Sequence, residues 1–357
     1  MSKTARISKN DSLVIKGVAI LIMMWHHCFL NEGRFVQYDL SLFPFSQPQI
    51  LNIASFFKVC VSLFAFVSGY GLYCSLDTNA DTLSWYKKRY IRSFSDYWLI
   101  VLLACGICQL LNGLTSAVYF EDSAFNGVIY ILFSVLGVSS LFKTPLLVGT
   151  WWYMSAALVY ILLAPLLYWI IKRFSSIACI GVVLVGVRAI GGYPGSTHYL
   201  SFLLAFVIGM ACANDDFIAR ISNSIEKSLS KKVLVIGLVV AMTIFCYKFN
   251  VMFPTDKFWD IKWGLFVPIY VLGIVITVAK IPYVNNVLRF FGEWSADIFL
   301  IHTFVRGHYG LSLVYAEGHF SLVMVRLIAL TLLVVLAFRL FKRVIRYDAL
   351  VSRLIGR

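Results

Sequence analysis

Of the 357 residues, 60% are hydrophobic and 13% are charged, and the mean hydropathy is +0.83. These values exclude an ordinary soluble domain and indicate a polytopic membrane protein with apolar runs along its whole length. The net charge of +14 is not a nucleic-acid footprint, because the basic residues cluster at the ends of the apolar runs.

The basic N-terminus, MSKTARISKND, leads into an apolar stretch that superficially resembles a secretory signal. That stretch is as long as a membrane span, contains Lys16 and has no small-residue cleavage site after it, so it reads as a retained first helix. Spans are expected near 12–30, 51–75, 95–112, 150–171, 176–190, 199–213, 232–249, 262–279, 291–308 and 320–341. The run at 126–141 is slightly short for a span. All eight cysteines fall in or beside apolar runs; Cys105 and Cys108 have C-x-x-C spacing inside a helix and read as small core residues.

Charge asymmetry arbitrates the topology. With 126–141 left out and the N-terminus inside, 21 of the 31 basic residues fall inside, six outside and four within spans. Counting 126–141 as a span gives 12 inside and 15 outside, and the bias vanishes. The expected architecture is all-α, about ten transmembrane helices around a polar intramembrane cavity with both termini cytoplasmic. It comprises one membrane domain over 1–345, with 126–141 a re-entrant or interfacial helix on the outer side, and a short basic tail at 346–357. Lys58, Arg188 and Arg326 would lie in the outer halves of spans, where lipid exposure is costly. They point to an outward-facing polar cavity or to separate snorkelling of each side chain.

Lys16 and His27 stand eleven residues apart in the first run. Eleven helical residues turn through about 1100°, so the two share a face and lie roughly 16 Å apart along the axis. Either Lys16 snorkels to one interface while His27 sits in the opposite headgroup layer, or the pair marks a reaction site within the membrane. His26 points about 100° away from His27.

Four segments in order resemble the acyltransferase family 3 membrane proteins, multi-span O-acyltransferases acting on bacterial surface sugars. They are Lys16 and His27 with Gly17 after the lysine; FAFVSGYGLY at 64–73; the basic cluster YKKRYIRSF at 86–94; and TWWYMSAALVYILLAPLL at 150–167 together with FGEWSADIFLIHTF at 291–304. Two features depart from the family pattern. Leu13 stands where many members carry an acidic residue, with Asp11 nearby, and Ala157 and Leu158 replace a frequent acidic pair.

The resemblance implies acyl transfer, most simply acetyl from cytoplasmic acetyl-coenzyme A, to a hydroxyl of a surface polysaccharide or lipid-linked saccharide. It further implies a multi-pass protein of the bacterial inner membrane that needs no metal and no nucleic acid. A hydroxyl is a poor nucleophile at neutral pH, and histidine can take its proton and return it to the leaving thiolate. His27 is the expected base, and Lys16 either steadies developing negative charge or holds the cavity's hydrogen bonds. Arg89 and Arg92 suit the coenzyme's phosphates, against a plain positive-inside role. Ser68, Gly69 and Tyr70 serve either the pantetheine arm or helix packing. Trp152 and Tyr153, beside Trp151, form either a sugar platform or an interfacial aromatic belt. His302 supports the acyl group or its acceptor, or makes a helix-to-helix hydrogen bond. The chain ends soon after the tenth run, so the extra hydrolase-like domain of some relatives is not expected. The rival is a transporter or flippase for a lipid-linked sugar, although no internal repeat of the kind transporters show is found.

Overall fold

The computed structural model describes residues 7–78, 81–190, 195–226, 228–254 and 257–356. Lys3, Arg6, Lys227 and Arg357, counted above for orientation, lie outside the described residues. Of the described residues, 81% are helical. Among the described residues, the strand pairing is a single two-residue parallel match of Leu40–Ser41 with Gly318–His319.

In chain order the helices are α1 (Lys9–Phe29), α2 (Gln47–Phe56), α3 (Val59–Leu76), α4 (Thr82–Asn112), α5 (Leu114–Tyr119), α6 (Ala124–Leu136), α7 (Ser139–Phe142), α8 (Trp152–Arg173) and α9 (Ser176–Ala189). There follow α10 (Leu203–Asn214), α11 (Phe217–Glu226), α12 (Leu229–Met252), α13 (Val267–Ile276), α14 (Pro282–Glu293), α15 (Ser295–Phe304), α16 (Leu311–Val314), α17 (Phe320–Val344) and α18 (Tyr347–Leu354). Local chemistry sets several of these limits. Ser8 and Asp11 form a reciprocal capping box at the start of α1, with Asp11 N donating to Ser8 Oγ at 3.0 Å. Asp81 accepts from the backbone N–H of Leu83 and Ser84 to open α4, and Gly113, at φ 69°, closes it in the left-handed region.

Among the described residues, seven helical segments are long and apolar enough to cross a membrane: 9–29, 47–76, 82–112, 149–173, 229–252, 261–280 and 320–344. The other three runs expected to span are shorter. Helices α9 and α10 have 14 and 12 residues. The run at 291–308 is broken between α14 and α15 at Trp294 and then widens into a π-turn at Val305–Tyr309. Helix α10 shows why length fails as a guide here. Every residue from Leu203 to Ala213 is buried, so it meets protein on all sides and need not match the bilayer. The 126–141 run becomes α6 and α7. At 13 residues, α6 reaches only about 20 Å against the ~30 Å apolar thickness of a bilayer. It exposes one apolar stripe of Phe125, Val128, Leu132 and Leu136.

Two close helix crossings organise the core. A Cβ on Gly17 would stand 2.0 Å from the Leu288 carbonyl oxygen, and one on Gly292 would stand 1.9 Å from that of Leu13. Helices α1 and α14 therefore touch backbone to backbone through a reciprocal glycine pair. Gly69 and Gly209 do the same for α3 and α10, against the carbonyls of Phe206 and Phe66 at 2.0 and 2.1 Å. Lipid tails are as apolar as side chains, so such contacts work through dispersion between closely fitted surfaces.

The three cations read as lining an outward-facing polar cavity or as snorkelling separately have these neighbours. Arg188 pairs with Asp260. Lys58 lies 5.1 Å from the Trp259 ring centroid. Arg326 donates to the carbonyls of Ala316 and Glu317. Trp259 and Asp260 are consecutive, so Lys58 and Arg188 converge on one segment, whereas Arg326 is held at the 316–317 loop.

Candidate active site

The adjacent histidines of α1 have different surroundings. His26 is buried, and its Nδ1 lies 2.6 Å from the Ala54 carbonyl. A carbonyl can only accept, so Nδ1–H donates and His26 ties α1 to α2. His27 is half-buried, and its ring makes no hydrogen bond among the described residues. The C-terminal end of α1 is closed by Arg34, whose Nη1 donates to the His27 carbonyl at 2.5 Å.

Facing His27 is His302 of α15, with ring centroids 5.2 Å apart and an interplanar angle of 36°. His302 is fully buried. Its Nδ1 lies 3.0 Å and 2.9 Å from the carbonyls of Ile298 and Phe299, which fixes the proton on Nδ1. Nε2 is then an acceptor, and Thr303 Oγ1 stands 3.2 Å from it. Thr150 Oγ1 is 3.1 Å from Thr303 Oγ1, completing a short line of hydroxyls behind the ring. His302 is thereby held in one tautomer and one orientation, while His27 keeps both nitrogens uncommitted.

The charges that bear on the His27 ring, besides the neighbouring histidines, come from Arg306 and Arg34. Both are half-buried. Arg306 sits in the π-turn after α15, four residues beyond His302, and lies within hydrogen-bond reach of Tyr315. Tyr315 in turn donates to the Cys28 carbonyl at 3.0 Å. Widened turns of this kind at helix ends often carry functional groups. Sequence reading counted Arg34 and Arg306 only among the six basic residues outside the membrane. The i, i+4 spacing of His302 and Arg306 was the available signal.

The remaining expected residues fall into three groups. Lys16 is half-buried with no ion-pair or hydrogen-bond partner among the described residues, and it is not among the charges bearing on His27. Asp11 is committed to the capping box and so does not serve Lys16 in place of Leu13.

Tyr153 packs edge-on to Phe299 with centroids at 5.9 Å, and its hydroxyl is within hydrogen-bond reach of Ser68. Ser68, Tyr153, Phe299 and His302 thus form one contiguous line from α3 through α8 to α15. Trp152 packs on Tyr153 and Phe202 at 5.8 and 6.1 Å.

Gly69 is taken up by the α3–α10 crossing, and the Tyr70 hydroxyl accepts from Ile7 N at 2.8 Å. Arg89 is half-buried and Arg92 exposed, one turn apart on α4, close enough for their charges to interact. Neither has an acidic partner among the described residues.

A mostly helical chain with several bilayer-length helices and a histidine pair set among cations and hydroxyls defines a multi-pass membrane protein with a candidate proton-transfer site. Residues 13–341 match the family 3 profile described as an acyltransferase domain, and the chain belongs to that family. It is a membrane acyltransferase. Searches of curated proteins and of solved structures gave no match.

Proposed function

We propose that this acyltransferase moves an acetyl group from cytoplasmic acetyl-coenzyme A to a hydroxyl of a surface polysaccharide or lipid-linked saccharide. It works as an O-acetyltransferase of the bacterial inner membrane. The observation that carries the reading is the His27 imidazole, uncommitted among the described residues and set against an oriented His302.

His27 takes the proton as the acceptor hydroxyl oxygen attacks the thioester carbonyl carbon. The new C–O bond forms a tetrahedral intermediate whose oxyanion is stabilised by the positive charge of Arg306 and Arg34. Collapse breaks the C–S bond, and His27 returns its proton to the departing thiolate. His302 holds the face opposite His27 through its fixed tautomer. Arg89 and Arg92 take the coenzyme's phosphates. Ser68, with Tyr153, borders the route between the two ends. Lys16, one apolar stretch away on the same helix, meets the donor rather than the reacting carbonyl.

The topology that suits this chemistry has ten crossings, the seven long segments together with α9, α10 and α15 with its π-turn, and both termini in the cytoplasm. Helix α6 is then re-entrant or interfacial on the outer side, its apolar stripe toward lipid. A reporter active only in the periplasm, fused after Arg357, stays silent in this arrangement. Strong activity refutes it.

Purified protein given acetyl-coenzyme A and a hydroxyl acceptor releases free thiol, and His27→Ala lowers that rate at least about a hundredfold. Undiminished release by the variant removes His27 from the mechanism. Absence of release with every acceptor overturns the reading in favour of a transporter or flippase.

A further inference from the structure

We infer that Arg339 and Lys342 of α17 are positioning residues for the transfer reaction. They form a two-cation strut that fixes α15, the helix carrying His302, against α4, the helix carrying Arg89 and Arg92. The inference rests on the acyl-transfer reading above and adds what holds the two ends of that site in register. Neither cation belongs to the four segments that suggested an acyltransferase in the sequence.

Arg339 and Lys342 stand three residues apart near the C-terminal end of α17, so they are neighbours on its surface. Arg339 Nε donates to Asp297 Oδ2 of α15 at 2.7 Å. The same guanidinium lies 4.1 Å from the ring centroid of Trp294, where α14 gives way to α15. Lys342 Nζ donates to Asp96 Oδ1 of α4 at 2.6 Å and pairs with Asp348 of α18 at 3.1 Å. Beside Asp96, the Ser95 carbonyl accepts from the Tyr347 hydroxyl at 2.6 Å. Asp297 is buried, and only 11% of the Lys342 side chain is exposed.

Buried ion pairs are a poor source of net stability, because desolvation offsets their attraction. What they supply here is direction. Apolar helix contacts tolerate sliding, whereas an N–H must meet its oxygen at a set distance and angle. Helix α15 needs such a constraint. It has ten residues, is broken from α14 at Trp294 and runs out into the π-turn at Val305–Tyr309. Its height and rotation are therefore not inherited from a continuous helix. Toward its C-terminal end the ties are neutral: Trp151 Nε1 donates to the Leu300 carbonyl at 3.2 Å, and Thr303 meets Thr150. In its first turn the tie is Asp297 to Arg339. His302 follows five residues later, about 7.5 Å along the axis, so a slip at Asp297 reaches the ring.

The other arm of the strut acts on the donor end. Arg89, Arg92 and Asp96 follow at intervals of three and four on α4 and so share one face. Holding Asp96 sets the rotation of the face that presents the two arginines. It also commits the acidic group one turn from Arg92 to Lys342, which leaves both arginines available for phosphate. One continuous helix, α17, thus meets the donor helix through Lys342 and the His302 helix through Arg339.

The test uses the full chain in lipid nanodiscs, with thiol release from acetyl-coenzyme A read as kcat and KM. Lys342→Gln is expected to raise KM for acetyl-coenzyme A at least about fivefold with kcat within about twofold, and Lys342→Arg to restore KM. Asp297→Asn is expected to lower kcat at least about tenfold with KM little changed. A merely structural role gives less folded protein and neither split. Wild-type constants in both variants, or kcat and KM lost in step in both, overturn the proposal. Where a single variant does not fold, Asp297→Asn with Arg339→Gln, or Asp96→Asn with Lys342→Gln, takes its place under the same criteria, since each removes both charges of its pair. A second readout follows α15 without activity. Thr150→Cys with Thr303→Cys puts thiols where hydroxyls stand 3.1 Å apart, and copper-phenanthroline oxidation links them. Adding Asp297→Asn slows that link at least about threefold. Equal linkage with and without Asp297→Asn overturns the strut. Wild-type protein that releases no thiol while linkage still depends on Asp297 sinks acyl transfer and keeps the strut; thiol release with linkage independent of Asp297 does the reverse.

Discussion

Around Gly17, α1 is held by backbone pressed on backbone, with the carbonyls of Leu13 and Leu288 sitting where side chains would otherwise stand. Ten residues on, around His27, the same helix is bordered by imidazole, guanidinium and hydroxyl groups, and one ring is left without a hydrogen bond among the described residues. Both ends lie within motifs that resemble one family, yet one end packs backbone on backbone and the other gathers ionisable and polar side chains. Residue type within a motif therefore does not reveal which job it has. Glycines at a crossing and an uncommitted histidine are distinguished only by what lies within a few ångströms of them.

The comparison breaks most severely at the crossings. Gly69→Leu or Gly17→Leu puts a branched side chain into a carbonyl oxygen, and little folded protein is expected from membrane extracts by fluorescence-detected size exclusion. Overpacking on this scale costs roughly 1–3 kcal/mol or more at each site. Well-behaved protein from both variants would show that the crossings are looser than the geometry states.

Next comes His27→Ala, which should leave thermal melting within a few degrees of wild type while acyl transfer falls at least about a hundredfold. A large fall in melting temperature would move His27 into the group that holds the fold.

His26→Ala sharpens the contrast from one position away. It frees the Ala54 carbonyl and should cost about 1–3 kcal/mol, read as a lower melting temperature, with residual turnover per folded molecule well above that of His27→Ala. Equal loss of turnover in both variants would dissolve the distinction between the two rings.

The smallest effect is expected for Asp11→Ala, which removes one half of the capping box. It should cost about 1 kcal/mol of stability and leave the thiol-release rate per folded molecule unchanged. A rate loss larger than the stability loss would mean that Asp11 reaches Lys16 after all.

Much of the fold was legible because apolar run length is a one-dimensional property. Seven of the ten expected runs correspond to helices of bilayer length. The other three show where that reading stops. Hydropathy passes smoothly over Trp294, where α14 gives way to α15, because a change of helix direction does not require a polar residue. Nor does run length distinguish a helix facing lipid from α10, whose surroundings are entirely protein.

The candidate site was legible in part. Lys16, His27 and His302 stood out as ionisable groups in apolar runs, and Arg89 and Arg92 as a paired cation cluster. The placement of Arg34 and Arg306 beside His27 was hidden because an arginine counted outside the membrane looks the same in sequence whether it faces solvent or folds back over a helix end. Gly69 read as room either for a ligand or for a neighbouring helix, and the carbonyl of Phe206 takes that space.

By itself, the sequence determined that the chain is a multi-pass helical membrane protein with an imidazole placed one helical stripe above a lysine. Periodicity and apolarity act along the chain, so they are fixed residue by residue. Only the tertiary structure decided that His27 meets His302 rather than Lys16, that His26 is spent on Ala54, and that Asp297 of α15 meets Arg339 of α17. Those outcomes depend on how α1, α15 and the loops beyond them pack, and contacts between segments hundreds of residues apart are set by the crossings of the whole bundle.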